Sequence, residues 1–228
     1  MEIGHSLSLE ECTAAEAIFA KLASADAANV RMVTGVVDRL AKQYAAELHE
    51  RVRVSTIVRT ALRAGAKTQE TTEGYPFFAV YAIGSLVHKP DPRDTDVLVA
   101  TNAWWQSLPR SYDWFLEHLG TAVGRAGTLE QHGELPDRYN VGLTAGKVLF
   151  TLHPAKGKNV DITYVRSMES GDDPGTFPWD PKYKPQAHEE RIRHVFNSEA
   201  AFIAKDVGTQ GEQLPRVILY RAKIQVPQ

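Results

Sequence analysis

The chain has 228 residues, of which 43% are apolar and 24% charged, the proportions of a globular protein able to bury one good-sized core. A formal net charge of -2 excludes a global basic field that would draw in nucleic acid and leaves only local patches for that purpose. A single cysteine, Cys12, excludes an internal disulfide or a cysteine-built zinc site, and no stretch approaches the ~20 apolar residues of a membrane-spanning helix.

The first residues lack the basic start and apolar run of a secretion signal, so the expected location is the cytoplasm, with no membrane partner. Residues 1–70 read as an N-terminal helical segment whose apolar faces must pack on a core. Ser8 followed by Glu11 has the spacing of a capping box, in which each end satisfies the other's exposed amide. Val30, Val33, Val37, Leu40, Tyr44 and Leu48 then recur at a period near 3.6 and predict a second helix. Ser55 is placed to cap a third, running through Ile57, Val58 and Leu62 to Gly65. The polar stretch from Thr68 to Gly74 reads as a loop.

Residues 71–228 change character. Phe77 to Ile83, aromatic and β-branched between Pro76 and Gly84, predicts a buried strand. Asp94 to Thr101 predicts a second. A helix is expected from Ser111 to Gly124, with Trp114, Phe115, Leu119 and Val123 facing inward. Lys147–His153 and Asn159–Val165 read as a hairpin around Pro154-Ala155-Lys156-Gly157-Lys158. The Pro-, Gly- and Asp-rich stretch from Gly171 to Gln186 predicts a loop. A helix is expected over 188–205 with Ile192, Val195, Phe196 and Ile203 inward, and a last strand over Arg216–Gln225. This order predicts an α+β fold: a mixed β-sheet core flanked by helices.

The chemistry concentrates on three acids. Asp94 and Asp96 are two apart on a predicted strand, and alternation points both to one face. Two such carboxylates repel and raise each other's pKa unless a cation neutralises them. Oxygen-only ligands suit Mg²⁺, which completes its shell with water and substrate phosphates. Asp161 lies between the apolar Val160 and Ile162 and shares the opposite face with Thr163. If the two strands are neighbours, the three acids converge. That arrangement can hold two metal ions ~4 Å apart and clamp an in-line phosphoryl transfer. Gly84-Ser85 follows the first strand directly. Glycine admits close approach of a phosphate, and serine adds a hydroxyl.

Ile83-Gly84-Ser85, Asp94-Thr95-Asp96-Val97 and Val160-Asp161-Ile162 together resemble the polymerase-beta-like nucleotidyltransferase superfamily, over roughly residues 75 to 166. The resemblance implies a nucleotidyltransferase-like sheet core and a metal-dependent enzyme. Its activity would be to move an NMP from an NTP, ATP among them, to a hydroxyl acceptor with release of pyrophosphate. It implies that Gly84 and Ser85 bind the nucleotide. Asp94, Asp96 and Asp161 would be both catalytic residues and metal ligands. The metal would be Mg²⁺, two ions, with Mn²⁺ the alternative. The acceptor stays open among an RNA end, a protein and a small molecule. Many members place an Arg-Gly pair after the serine, where this chain has Leu86-Val87-His88-Lys89; Lys89 and Arg93 are candidates for that charge or solvated loop charges. Lys147, Lys156 and Lys158 are candidate phosphate contacts or solvated hairpin charges. Trp104 and Trp105 are candidate base-stacking residues or core packing.

Two rival readings use the same residues. A glycosyltransferase Asp-x-Asp motif also binds a metal with a sugar nucleotide, but leaves Gly84-Ser85 and Asp161 without a role. A non-catalytic nucleotidyltransferase-like binding or regulatory module needs no intact acids, and here all three are present.

Overall fold

A computed structural model describes residues 2–5, 7–54, 56, 59, 76–101, 108–124, 127–132, 146–166 and 215–225. The expected loops at 68–74 and 171–186, the helix at 188–205 and Trp104-Trp105 lie outside these residues, as does most of the third helix.

The elements are β1 (Glu2–His5), α1 (Leu9–Ala20), α2 (Ser24–Val54), β2 (Phe77–Ile83), the single turn α3 (Ser85–His88), β3 (Thr95–Thr101), α4 (Leu108–Val123), β4 (Gly127–His132), β5 (Gly146–Pro154), β6 (Val160–Arg166) and β7 (Arg216–Gln225). Among the described residues the strands form one seven-stranded sheet in the order β1-β7-β2-β3-β6-β5-β4. Every neighbouring pair is antiparallel except β3 and β6, which run parallel. The chain between those two strands includes α4, β4 and β5, enough to return it to the same end of the sheet. The fold is α+β with a mixed sheet and helices packed on it, as the element order predicts.

Local sequence accounts for most of these elements. The Ser8 hydroxyl accepts the Glu11 amide at 3.2 Å, and the Glu11 carboxylate accepts the Ser8 amide at 2.7 Å, which closes the capping box of α1. Val30, Val33, Val37, Leu40, Tyr44 and Leu48 form the buried stripe of α2. That stripe shares one core with Phe78, Val80 and Ala82 of β2, Val97 and Val99 of β3, and Ile162 and Tyr164 of β6. Phe115 of α4 extends this core, its ring 4.8 Å from Tyr164 and 5.8 Å from Phe150. The other face of the sheet holds a smaller cluster of Phe77, Ala79, Tyr81, Leu98, Ala100 and Ile218. β2 is thus buried on both faces, which explains its unbroken apolar run. No described helix is long and apolar enough to cross a membrane.

Two strands, β1 and β4, are additional to the expected elements. α4 starts three residues early at Leu108, and β5 and β6 shift by one residue at their ends. β3 starts at Thr95, which leaves Asp94 in the preceding bend.

Glu11 also takes a bidentate bond from Arg221 of β7, at 3.0 and 2.8 Å. The Arg221 guanidinium holds the Glu11 carboxyl below the usual carboxylate range. A depressed pKa stabilises the fold above the unfolded-state value, and this contribution is lost as pH falls through the folded value. Glu11→Gln is therefore expected to cost ~1–2 kcal/mol at neutral pH, more than a fully exposed pair. Denaturant unfolding of both forms across pH should show that difference shrinking below the ordinary carboxylate range.

Candidate active site

Two segments close in sequence, Gly84-Ser85 and Asp94-Asp96, meet the distant Asp161 on the sheet face opposite the described helices. β3 and β6 are adjacent, and Asp96 is the direct register partner of Asp161. Strand neighbours lie ~4.8 Å apart, so the two carboxylates stand side by side on one face. Alternation sets that face: Thr95 and Val97 are buried on the helix side, as are Val160 and Ile162, while Asp96 and Asp161 are only partly buried. Asp94, in the bend before β3, is exposed.

The Gly84-Ser85 turn lies directly on this pair. Ser85 Oγ is 3.3 Å from Asp96 Oδ2 and 3.4 Å from the Asp94 carbonyl oxygen, donating toward both. Gly84 has φ 58° and ψ -136°, a region that a Cβ forbids. A Cβ there would also stand 2.8 Å from Asp96 Oδ2. Glycine is required for its conformation and for the close approach of the acid strand. Beyond the turn, Leu86 is fully buried and anchors α3 in the main core.

Burial pushes the Asp96 carboxyl above the usual carboxylate range. The Ser85 hydrogen bond opposes that rise, while the charges of Asp161 and Asp94 add to it. A half-buried carboxylate with like charges beside it is what a bound cation would relieve. Among the described residues, no three His, Cys, Asp or Glu side chains are grouped so that they could hold a metal ion by themselves. The paired carboxylates of Asp96 and Asp161 would hold a cation only if water and substrate oxygens completed its shell, which is how Mg²⁺ is commonly bound.

A hydrogen-bonded scaffold holds the approach to Asp94. Asp26, buried in the first turn of α2, accepts the Lys158 amide at 2.6 Å. Asn29 donates to the Lys156 carbonyl at 3.0 Å. Lys158 Nζ donates to Asp91 Oδ1 at 2.6 Å and to the Pro92 carbonyl at 2.5 Å. The Lys158 ammonium is thus committed to the loop that carries Asp94. Gly157, at φ 90°, lets the hairpin tip approach Asp26, where a Cβ would come to 2.6 Å from its Oδ1.

Sequence reasoning missed four further residues on this face. Thr151 of β5 is the register partner of Asp161, and Glu130 of β4 is the partner of Thr151. Thr151 Oγ1 donates to Asp161 Oδ1 at 2.6 Å, and His132 Nε2 lies 2.7 Å from the same hydroxyl. His153 Nε2 is 3.1 Å from Glu130 Oε2. Counting the hairpin pairing outward from its turn would have placed Thr151 beside Asp161. His132 and Glu130 depended on β4, a strand the polar sequence does not announce. No protein-family model matches the chain, and no curated protein sequence matches it.

Proposed function

We infer that the chain is a metal-dependent nucleotidyltransferase, built on a nucleotidyltransferase-like core, that moves an NMP from an NTP to a hydroxyl acceptor. The observation that carries this reading is the convergence of Gly84-Ser85, Asp96 and Asp161, three segments joined by register and direct contact. Turn packing alone does not require an acid against Gly84, and strand pairing alone does not require two acids side by side. The pairing costs stability in the absence of a ligand, which favours a binding role for the set. Asp94, exposed in the bend before β3, adds a third carboxylate whose charge acts on Asp96.

In this reading Ser85 and the Gly84 backbone meet the phosphates. Asp96 and Asp161, with Asp94 beside them, would hold Mg²⁺, which would supply charge neutralisation at the phosphoryl oxygens. Asp161 also stands as general base for the acceptor. As the acceptor oxygen bonds the α-phosphorus, its proton passes to the carboxylate. The bond from the α-phosphorus to the β-phosphate oxygen breaks, and pyrophosphate leaves. The protein's share is positioning and electrostatics.

The test is a screen of the four NTPs, labelled at the α- or the γ-phosphate, against RNA, protein and aminoglycoside acceptors with Mg²⁺. Incorporation of α-label with loss of γ-label is expected. Incorporation of γ-label would mean phosphoryl transfer instead and would overturn the reading.

A further inference from the structure

The row Asp96–Asp161–Thr151–Glu130 crosses four adjacent strands in continuous register. Its hydrogen bonds have a forced direction. An ionised carboxylate only accepts, so the single hydroxyl hydrogen of Thr151 goes to Asp161 Oδ1 at 2.6 Å. The Thr151 oxygen must then accept from His132, so Nε2 is the ring nitrogen that carries a hydrogen in this 2.7 Å bond. Glu130 stands beside the ring, its Oε1 3.7 Å from His132 Nδ1 and its Oε2 3.1 Å from His153 Nε2. Thr151 is buried, while His132 and Glu130 are exposed at the sheet edge. An arm therefore runs from the edge strand to the acid that the proposed reaction uses twice.

Resting on the nucleotidyltransferase reading, we propose that Thr151 and His132 are positioning residues for Asp161. They commit Oδ1 and fix the carboxylate plane. Among the described residues nothing bonds Oδ2, and it is the oxygen left for a metal ion and for the acceptor proton. Partners that orient a metal-binding carboxylate in this way change metal affinity or turnover by ~10–100-fold when removed.

The experiment uses the full chain stripped with EDTA. Mn²⁺ alone is titrated while the resonance of the free aqueous ion is followed, and kcat and KM for the NTP are read from pyrophosphate release. Thr151→Val, which keeps the shape and loses the hydroxyl, is expected to weaken Mn²⁺ binding and lower kcat by ~10–100-fold with KM for the NTP unchanged. Thr151→Ser restores both. His132→Gln keeps a donor and behaves as the unmodified protein, whereas His132→Leu shares the valine defect. A Thr151→Val protein that binds Mn²⁺ and turns over normally overturns the arm and leaves the nucleotidyltransferase reading standing. Normal turnover and Mn²⁺ binding by Asp96→Asn overturns the reading itself, and the arm with it.

Discussion

Asp96→Asn is expected to abolish turnover and to raise the melting temperature of the metal-free protein. The two effects share one cause. Burial, with Asp161 and Asp94 nearby, holds the Asp96 carboxyl above its ordinary range. A raised pKa means that the folded state holds the proton more tightly than the unfolded chain. Its stabilising contribution is complete below the unfolded-state value and is lost as pH rises through the folded value. At neutral pH the native protein therefore bears an ionisation cost that asparagine does not. The variant keeps the shape and an acceptor oxygen for Ser85. Its melting temperature should exceed that of the native protein by ~2–4 °C per kcal/mol relieved, with the gap opening as pH rises above the ordinary carboxylate range. Adding Mg²⁺ should stabilise the native protein and leave the variant unmoved. Turnover should fall by at least ~10²–10³-fold, the scale of losing one group that stabilises developing charge. Calorimetry with and without Mg²⁺, beside a turnover assay, measures both. A variant that is less stable at neutral pH would contradict the electrostatic explanation.

The second large effect is expected at Gly84→Ala. The new Cβ faces two conflicts: a backbone at φ 58° and ψ -136°, and Asp96 Oδ2 at 2.8 Å. The backbone conflict costs ~1–3 kcal/mol. The carboxylate can yield only by rotating, which moves the acid out of line with Asp161. A displacement of ~1 Å at a reacting centre costs ~10²-fold in rate. Alanine should thus lower both stability and turnover, opposite in its stability sign to Asp96→Asn. An alanine variant with unchanged melting temperature and turnover would show that the turn does not press on the acid.

The strands that position the acids were legible because each is buried on the helix side. Alternation in β3 and β6 separates Thr95, Val97, Val160 and Ile162 from Asp96 and Asp161, and the helical period of α2 names its buried stripe. The mutual register of β3 and β6 was not legible, since it depends on a crossover through α4 and the β4–β5 pair. β1 is four residues long and contains a glycine. β4, Gly-Thr-Leu-Glu-Gln-His, is an edge strand mostly open to water and offers only Leu129 to the core. Edge strands of this kind carry little hydrophobic signal. The arm of His132 and Glu130 was hidden with it. Asp94 was misplaced by one residue because a strand's first hydrogen bond, here Thr95 to the Asn159 carbonyl, is not visible in a pattern of apolar residues.

The nucleotidyltransferase assignment is tested most directly by pyrophosphate release from an NTP, with Mg²⁺ or EDTA, by the native protein and by the double variant Asp94→Ala/Asp96→Ala. The expected result is release that requires Mg²⁺ and disappears in the variant while its fold, read by circular dichroism, is retained. Release at the native rate in a folded double variant would contradict it.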